Sequence, residues 1–510
     1  MLNQKKYLLI PAFPTPNGRL HLGHIGGPYL SADILARHLR ISGHQATILT
    51  GTDDFESYVM LQAAKKLTTP EYICSFYNPL IAADLKAMDI EIAHFVQPSH
   101  PLLMQTYLRW HEIIFQTLQN KNACQKLKEN MIWDSINQRF KVGCWQIGFC
   151  PSCKEKTESY FCEACGTHYR PEEIIQQNNQ ELIKQVENIF LCLKSPPPLK
   201  NKGINLKLEQ LYHQFLHKQN YLFRLTTQAA WGLKCNQSST FFSYGFVFAY
   251  ALMLGELQGK IEGNNLNAFA IDSSTITIAS FGHDNFIPFI SSILGISSYL
   301  PEYKPFDFYL INYFFNLNGL KFSTSRRHAI WVDDVINHQQ LSSDIIRLYL
   351  ASIDIHTSSG NFSSQDFSIF YNQTLDWQNQ LVLKMQAMLP DSQPNSCDSD
   401  LKDHLQKLLD VNKQVLQPNH FFPHQAIKNI SLWLKLANQL PPYASSNFWW
   451  LQAFSLFISP FMPKLGQGLW QALGYPNQPS IHQLFTKPSL PFHRKLTINQ
   501  TPLTADSIIH

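Results

Sequence analysis

Residues 12–24, Ala-Phe-Pro-Thr-Pro-Asn-Gly-Arg-Leu-His-Leu-Gly-His, constrain this chain more than any other stretch. They join an apolar run, Tyr7 to Ile10, to a helical one, Tyr29 to Arg40. Pro14, Pro16, Asn17 and Gly18 forbid regular structure between the two, so the backbone must turn sharply before His21 and deliver Gly23 to the start of the helix. The unit is a strand, a turn and a helix. Its turn suits a nucleotide phosphate, because a helix start presents unpaired N–H groups and His21 and His24 fall on one side as donors. Taken alone, the same residues also read as two ordinary loop histidines.

Composition sets wide limits. With 510 residues and 45% apolar content the chain has material for two to four domains with buried cores. A net charge of +4 with 15% charged residues provides no basic tail, so a nucleic-acid partner must be argued from elsewhere. The longest apolar run, Phe241 to Leu254, is too short for a bilayer core of about 30 Å. No basic segment followed by an apolar one opens the chain, and the expectation is a cytoplasmic protein without membrane contact. Of ten cysteines, six are scattered and four sit at metal-binding spacing.

In chain order, residues 1 to about 115 alternate strand and helix, and the strand Gln45 to Leu49 ends at Gly51-Thr52-Asp53-Asp54. In a parallel α/β sheet, ligands bind beyond such strand ends. Asp54 there reads either as a carboxylate for an ammonium group or as the N-cap of a helix over Phe55 to Lys66. Residues 116–235 are polar and carry Cys150-Pro-Ser-Cys153 and Cys162-Glu-Ala-Cys165, with Gly166 turning the second knuckle. Four thiolates so spaced suit one tetrahedral zinc ion, which would be structural because no coordination position stays open; a disulfide or free thiols are the alternative. Phe241 to Leu254 and Ile276 to Phe281 read as buried strands. Phe281-Gly-His-Asp-Asn285 follows the second of them and reads as a ribose or adenine contact, or as a plain turn. Asn318 to Arg327 places Lys321 before three hydroxyls in a Gly-led loop that suits a triphosphate or a solvated face. Beyond Trp331 the pattern is helical: Asp344 to Ala351, Thr374 to Met388, Leu401 to Leu416, Gln425 to Leu440 and Trp449 to Leu473. From 476 onward proline and polar residues suggest a loose tail.

These motifs, in this order, resemble the signatures of class I aminoacyl-tRNA synthetases and are most similar to those of methionyl-tRNA synthetases. The resemblance implies an α/β class I synthetase fold, a Rossmann-like parallel sheet split by a zinc-bearing insertion and followed by an all-α anticodon-binding bundle. The implied division is 1–115 and 236–335 for the two halves of the catalytic domain, 116–235 for the insertion, 336–475 for the bundle and 476–510 for a tail. It implies a methionine-tRNA ligase using ATP, Mg2+ and Zn2+, acting as a monomer on methionine and methionine tRNA. His21, His24, Lys321 and Thr324 would be catalytic, and Gly23, Gly282, Asp284, Ser323, Ser325 and Arg326 would hold ATP. Ala12, Phe13, Pro14, Thr15, Asp54, Tyr250 and Phe289 would hold the amino acid. Cys150, Cys153, Cys162 and Cys165 would hold the metal, and Asn438 and Tyr443 would meet tRNA.

Several positions depart from the family pattern. Thr15 stands where the family has a pocket tyrosine, its Trp-x-Asp-Ala-Pro segment is not recognisable within Tyr244 to Ala251, and Phe289 replaces a histidine. Thr324 replaces the second lysine of the ATP loop, and the anticodon motif is compressed to Asn438 through Tyr443. An apolar pocket separates close analogues by only about 1–3 kcal/mol and is readily retuned, so a paralogue activating another amino acid for a specialised pathway is the alternative. A non-catalytic RNA-binding descendant is a further one, against which the intact His21, His24, Asp54 and Lys321 argue.

Overall fold

The computed structural model describes residues 4–158, 160–162, 165, 167–176, 182–199, 202–322, 328–388, 394–441, 444–491, 496 and 503. Its centre is a five-stranded parallel sheet of β1 (Lys6–Pro11), β2 (Gln45–Gly51), β3 (His94–Val96), β4 (Ile276–Gly282) and β5 (Phe308–Asn312), in the order β5-β4-β1-β2-β3. Leu8 and Ile10 of β1 bury into one apolar cluster and Tyr7 and Leu9 into the other, so the sheet is covered on both faces, as a parallel sheet requires. The strand order reverses between β1 and β4. Their carboxyl ends, tied by the Ala12 amide donating to the Ser280 carbonyl at 2.7 Å, form the crevice where ligands of such sheets bind.

Between the two halves, Cys124–Asp134 and Leu182–Cys192 pair antiparallel and anchor a four-stranded sheet that carries the cysteine knuckle. The helix preceding this sheet runs Pro101–Asn120, so residue 115 lies inside a helix and not at a boundary. A second difference concerns Phe241 to Leu254. Only Thr240–Phe241 is strand; a 3-10 turn follows at Ser243–Phe246, and Val247–Ile261 is a helix buried on nearly every side. A helix apolar all round has no 3.6-residue polar stripe, so its valine, phenylalanine and tyrosine mimic a core strand. Ile276 to Phe281 is the strand its composition suggests.

The C-terminal region is helical, beginning with Ser343–Ser352 and Ser364–Ala387. Two runs with continuous periodicity are broken. Pro423–Lys428 and Ile430–Gln439 divide at Asn429, and Ser445–Ile458 and Pro463–Ala472 divide where Pro460 and Pro463 end one helix and start the next. Residues 475–491 are not loose: Gln452 donates to the Gln483 carbonyl at 2.9 Å and accepts from the Phe485 amide at 2.9 Å, which fastens this segment to the bundle. Arg347, wholly buried, joins bundle to sheet by pairing with Asp33 at 2.6 Å and donating to the carbonyls of Met88, Pro460 and Phe461. Among the described residues no helix is long and apolar enough to cross a membrane.

Candidate active site at the strand ends

The loop after β1 carries the two histidines as a reciprocal pair. The His24 amide donates to His21 Nδ1 and the His21 amide to His24 Nδ1, each at 3.2 Å, and the rings stack with centroids 3.6 Å apart. Burial lowers both pKa values, His24 to about 4 and His21 well below its ordinary range, with the neighbouring His24 adding to the latter. Both rings are therefore neutral near pH 7. Because each Nδ1 is an acceptor, each proton sits on Nε2, and the pair presents two neutral N–H donors.

Gly23 makes this arrangement possible. A Cβ there would lie 3.0 Å from the Phe322 ring and 3.1 Å from His21, and Phe322 stacks on His21 at 5.0 Å. Phe322 directly follows Lys321, whose Nζ lies 4.6 Å from the Phe314 ring. The start of the basic loop is thus packed onto the histidine pair by an aromatic residue the sequence did not single out. Ser323, Thr324, Ser325 and Arg326 lie outside the described residues, as does Tyr443.

The carboxylate expected at Asp54 is engaged by the protein itself. Asp54 is fully buried; its oxygens accept from Thr52 Oγ1 at 2.6 Å, Asn78 Nδ2 at 3.3 Å, and the Ser99 amide and hydroxyl at 2.9 and 2.6 Å. Nor is Asp54 a helix cap, since Glu56 caps the helix Ser57–Lys65. The neighbouring Asp53 is half-buried and holds the loops together through its amide, which donates to the Pro14 carbonyl at 3.1 Å. Burial first, then the charges of Glu56 and Asp54, push the Asp53 carboxyl well up. A cation placed beside it would pull it back down. Two adjacent acids after a strand differ in their surroundings: Asp54 is fully buried and hydrogen-bonded, whereas Asp53 is half-buried. After β4, Gly282 leaves room for Asp284, whose Oδ1 lies where a Cβ on the glycine would come within 2.4 Å.

Phe13, Tyr250 and Phe289 converge. Phe13 stacks on Tyr250 with centroids 3.7 Å apart and on Phe289 at 6.1 Å, while the Tyr250 hydroxyl donates to the Thr52 carbonyl at 3.2 Å. Gly51 permits that contact, since a Cβ there would lie 2.5 Å from the Tyr250 hydroxyl. Ala12 is fixed by Tyr29, whose hydroxyl donates to its carbonyl at 3.0 Å, and the Thr15 carbonyl accepts from the Asn17 amide at 2.8 Å. Trp231, also unforeseen, donates its indole N–H to the Asp54 carbonyl at 2.8 Å and stacks on Phe55. Asn438 lies far along the chain, exposed on the helix Ile430–Gln439.

In the insertion, the thiols of Cys150, Cys153, Cys162 and Cys165 all lie within 4.8 Å of one another, with Cys150–Cys165 at 3.7 Å and Cys153–Cys162 at 3.6 Å. A tetrahedral ion with Zn–S bonds of about 2.3 Å needs sulfurs about 3.8 Å apart, so the cluster fits zinc. Burial raises the Cys165 thiol, but hydrogen bonds from Thr167 and the neighbouring thiols bring it down to about 7, toward the thiolate a metal requires. The protein purified under reducing conditions is expected to carry one zinc ion per chain by metal analysis, and Cys162→Ser to lose it. Metal-free wild-type protein that stays folded would contradict this.

Comparison with known proteins shows the family and the fold. The family model described as tRNA synthetases class I (M) matches residues 7–382, and the chain belongs to that family. Among its relatives, the methionine–tRNA ligase of Parabacteroides distasonis is 25% identical over 391 residues, covering 73% of this chain and 56% of that protein. That of Thermoplasma volcanium is 24% identical over 564 residues, covering 98% and 99%. The chain spans about half the length of the Parabacteroides protein and of the Thermococcus onnurineus one, of which it covers 54%. Mycobacterium tuberculosis methionyl-tRNA synthetase in complex with methionyl-adenylate shares the fold at a TM-score of 0.65 and 15% identity, over 98% of this chain and 100% of that one.

Proposed function

We propose that this protein is a methionine-tRNA ligase, activating methionine with ATP and transferring it to tRNA. The observation that carries the reading is the neutral His21–His24 donor pair, packed under the Lys321 loop at the crevice where β1 and β4 diverge. Activation requires the methionine carboxylate to attack the α-phosphorus of ATP with departure of pyrophosphate. Charge then develops on phosphate oxygens, and catalysis consists of positioning and of donors already in place. The Nε2–H groups of His21 and His24 donate to those oxygens without carrying charge that would hold the product. Lys321 supplies a point charge, and Ser323, Thr324, Ser325 and Arg326, which follow it in sequence, are read as further phosphate contacts. Magnesium bound to the nucleotide would supply charge neutralisation at its phosphates. Gly23, Gly282 and Asp284 line the nucleotide's path.

Asp53, rather than Asp54, accepts the substrate's ammonium group in this reading, and Asp54 holds the loop that presents it. Ala12 to Thr15, Tyr250 and Phe289 receive the side chain; the Phe13–Tyr250–Phe289 wall carries no charge and suits a thioether. In the second step a terminal ribose hydroxyl of tRNA attacks the adenylate's carbonyl carbon and AMP leaves. Asn438 and Tyr443 meet the anticodon, the four cysteines hold zinc that staples the insertion, and the enzyme acts as a cytoplasmic monomer. The residue divisions 1–115, 116–235, 236–335, 336–475 and 476–510 serve as a working division, the first extended to the helix end at Asn120. Phe289 and Thr15 favour a second reading in which the same chemistry takes another uncharged amino acid. Amino-acid-dependent exchange between ATP and pyrophosphate tests both.

A further inference from the structure

Arg19 stands two residues before His21 and takes no part in the chemistry proposed for the histidine pair. Its guanidinium spans two carboxylates. Nε and Nη2 donate to Asp84 at 3.3 and 2.6 Å, and Nη1 pairs with Asp333. Asp84 is buried on the helix Pro70–Ala87 and also accepts from the Leu20 amide at 2.9 Å. Asp333 is partly exposed and is steadied by Asn337, whose Nδ2 donates to it at 2.7 Å. One side chain thus ties the turn before His21 both to a helix of the first half-sheet and to the segment 330–333. That segment bears directly on His21. The Leu22 amide donates to the Ile330 carbonyl at 2.9 Å and the Val332 amide to the Leu20 carbonyl at 3.1 Å, an antiparallel bridge that sets His21 opposite Trp331. The Trp331 ring stands edge-on to the His21 ring at 5.9 Å. Among the described residues the bridge belongs to no sheet, so no neighbouring strand fixes its register. His21 is extended there, with φ −108° and ψ 167°, and its amide is the donor to His24 Nδ1, so a shift of the bridge moves both rings.

We propose that Arg19 and Asp333 are positioning residues for His21: their ion pair locks the segment 330–333 onto the His21 backbone and so aims the Nε2–H donors of the histidine pair. The proposal rests on the reading given above. A partly exposed ion pair adds little to stability, because water competes for both charges. Placement is another matter, since a displacement of about 1 Å at a reacting centre can cost about 10²-fold in rate. The planar fork of Arg19 holds Asp84 and Asp333 at once, which a point charge cannot do.

The test begins with Asp333→Asn, which removes the partly exposed charge and leaves Asp84 paired, so the fold is kept. In amino-acid-dependent exchange its kcat is expected to fall about 10- to 100-fold, with KM for ATP and for the amino acid within about threefold of wild type, the pattern of an interaction lost in the transition state. Arg19→Lys, which keeps the charge and cannot span both carboxylates, should fall in the same way. In a His21→Ala background neither substitution should slow exchange further by more than about twofold, because the donor they aim is gone. Unchanged kcat in Asp333→Asn, a rise in KM that accounts for the loss, or an equal loss with and without His21 overturns the proposal. Nitrogen NMR of labelled histidine rings gives a readout that needs no activity. The His21 signal, identified by its absence from His21→Ala, is expected to shift in Asp333→Asn, and a signal that stays in place overturns the proposal. If exchange fails with every amino acid while that signal shifts, the activation reading falls and the hold on His21 stands.

Discussion

Arg347→Met is expected to lower the unfolding free energy of the region it joins by about 3–5 kcal/mol, the usual cost of removing one partner of a buried ion pair. The Arg347 side chain has no solvent exposure, and neither has that of Asp33. Its guanidinium serves the Asp33 carboxylate and also carbonyls from the 88–89 turn and from Pro460 and Phe461, so the substitution leaves a half-satisfied buried charge and several unpaired acceptors. Arg37 still donates to Asp33 at 2.7 Å, which keeps the loss within that range. Arg347→Lys should recover only part of it, since a point charge cannot serve a fork of acceptors. Denaturant unfolding followed by fluorescence reads the effect. A change below about 1 kcal/mol would show that the sheet and the bundle are joined by apolar contact alone.

His24→Ala is expected to slow amino-acid-dependent exchange about 10²- to 10³-fold, the effect of losing one donor set in advance toward developing charge. The protein should remain folded, because the helix that follows is held by a wide apolar core that includes Leu22, Ile25 and Leu30. His24→Lys should not rescue it. A neutral donor held by its Nδ1 contact to the His21 amide is what the geometry provides, and an ammonium group has no acceptor with which to keep that contact. Exchange within threefold of wild type in His24→Ala would remove the histidine pair from the mechanism.

Much of this site was legible before the fold. The Pro and Gly residues between Tyr7 and His21 permit only a turn, and the knuckle spacing permits only a close cluster of thiols; both follow from local sterics. Other features depended on tertiary placement. Asp53 and Asp54 are indistinguishable as a dipeptide, and which one the protein itself engages is decided by Ser99 and Asn78, far away in sequence. Phe322 reads as an ordinary apolar loop residue until it is found over His21. The helix Val247–Ile261 lacked a polar stripe because the surrounding core leaves it almost no solvent face, so its period was hidden. The departures at Thr15 and Phe289 belong to the same class: a pocket is a shape, and its tuning emerges from rings that come together from three separate elements.

The most direct test of the account is exchange of labelled pyrophosphate into ATP by the purified protein, assayed with each standard amino acid in turn and without tRNA. The account predicts exchange that depends on methionine, saturates with it, and is lost in Asp53→Asn while the fold is retained. Exchange that depends instead on another amino acid, with methionine inert, would contradict it.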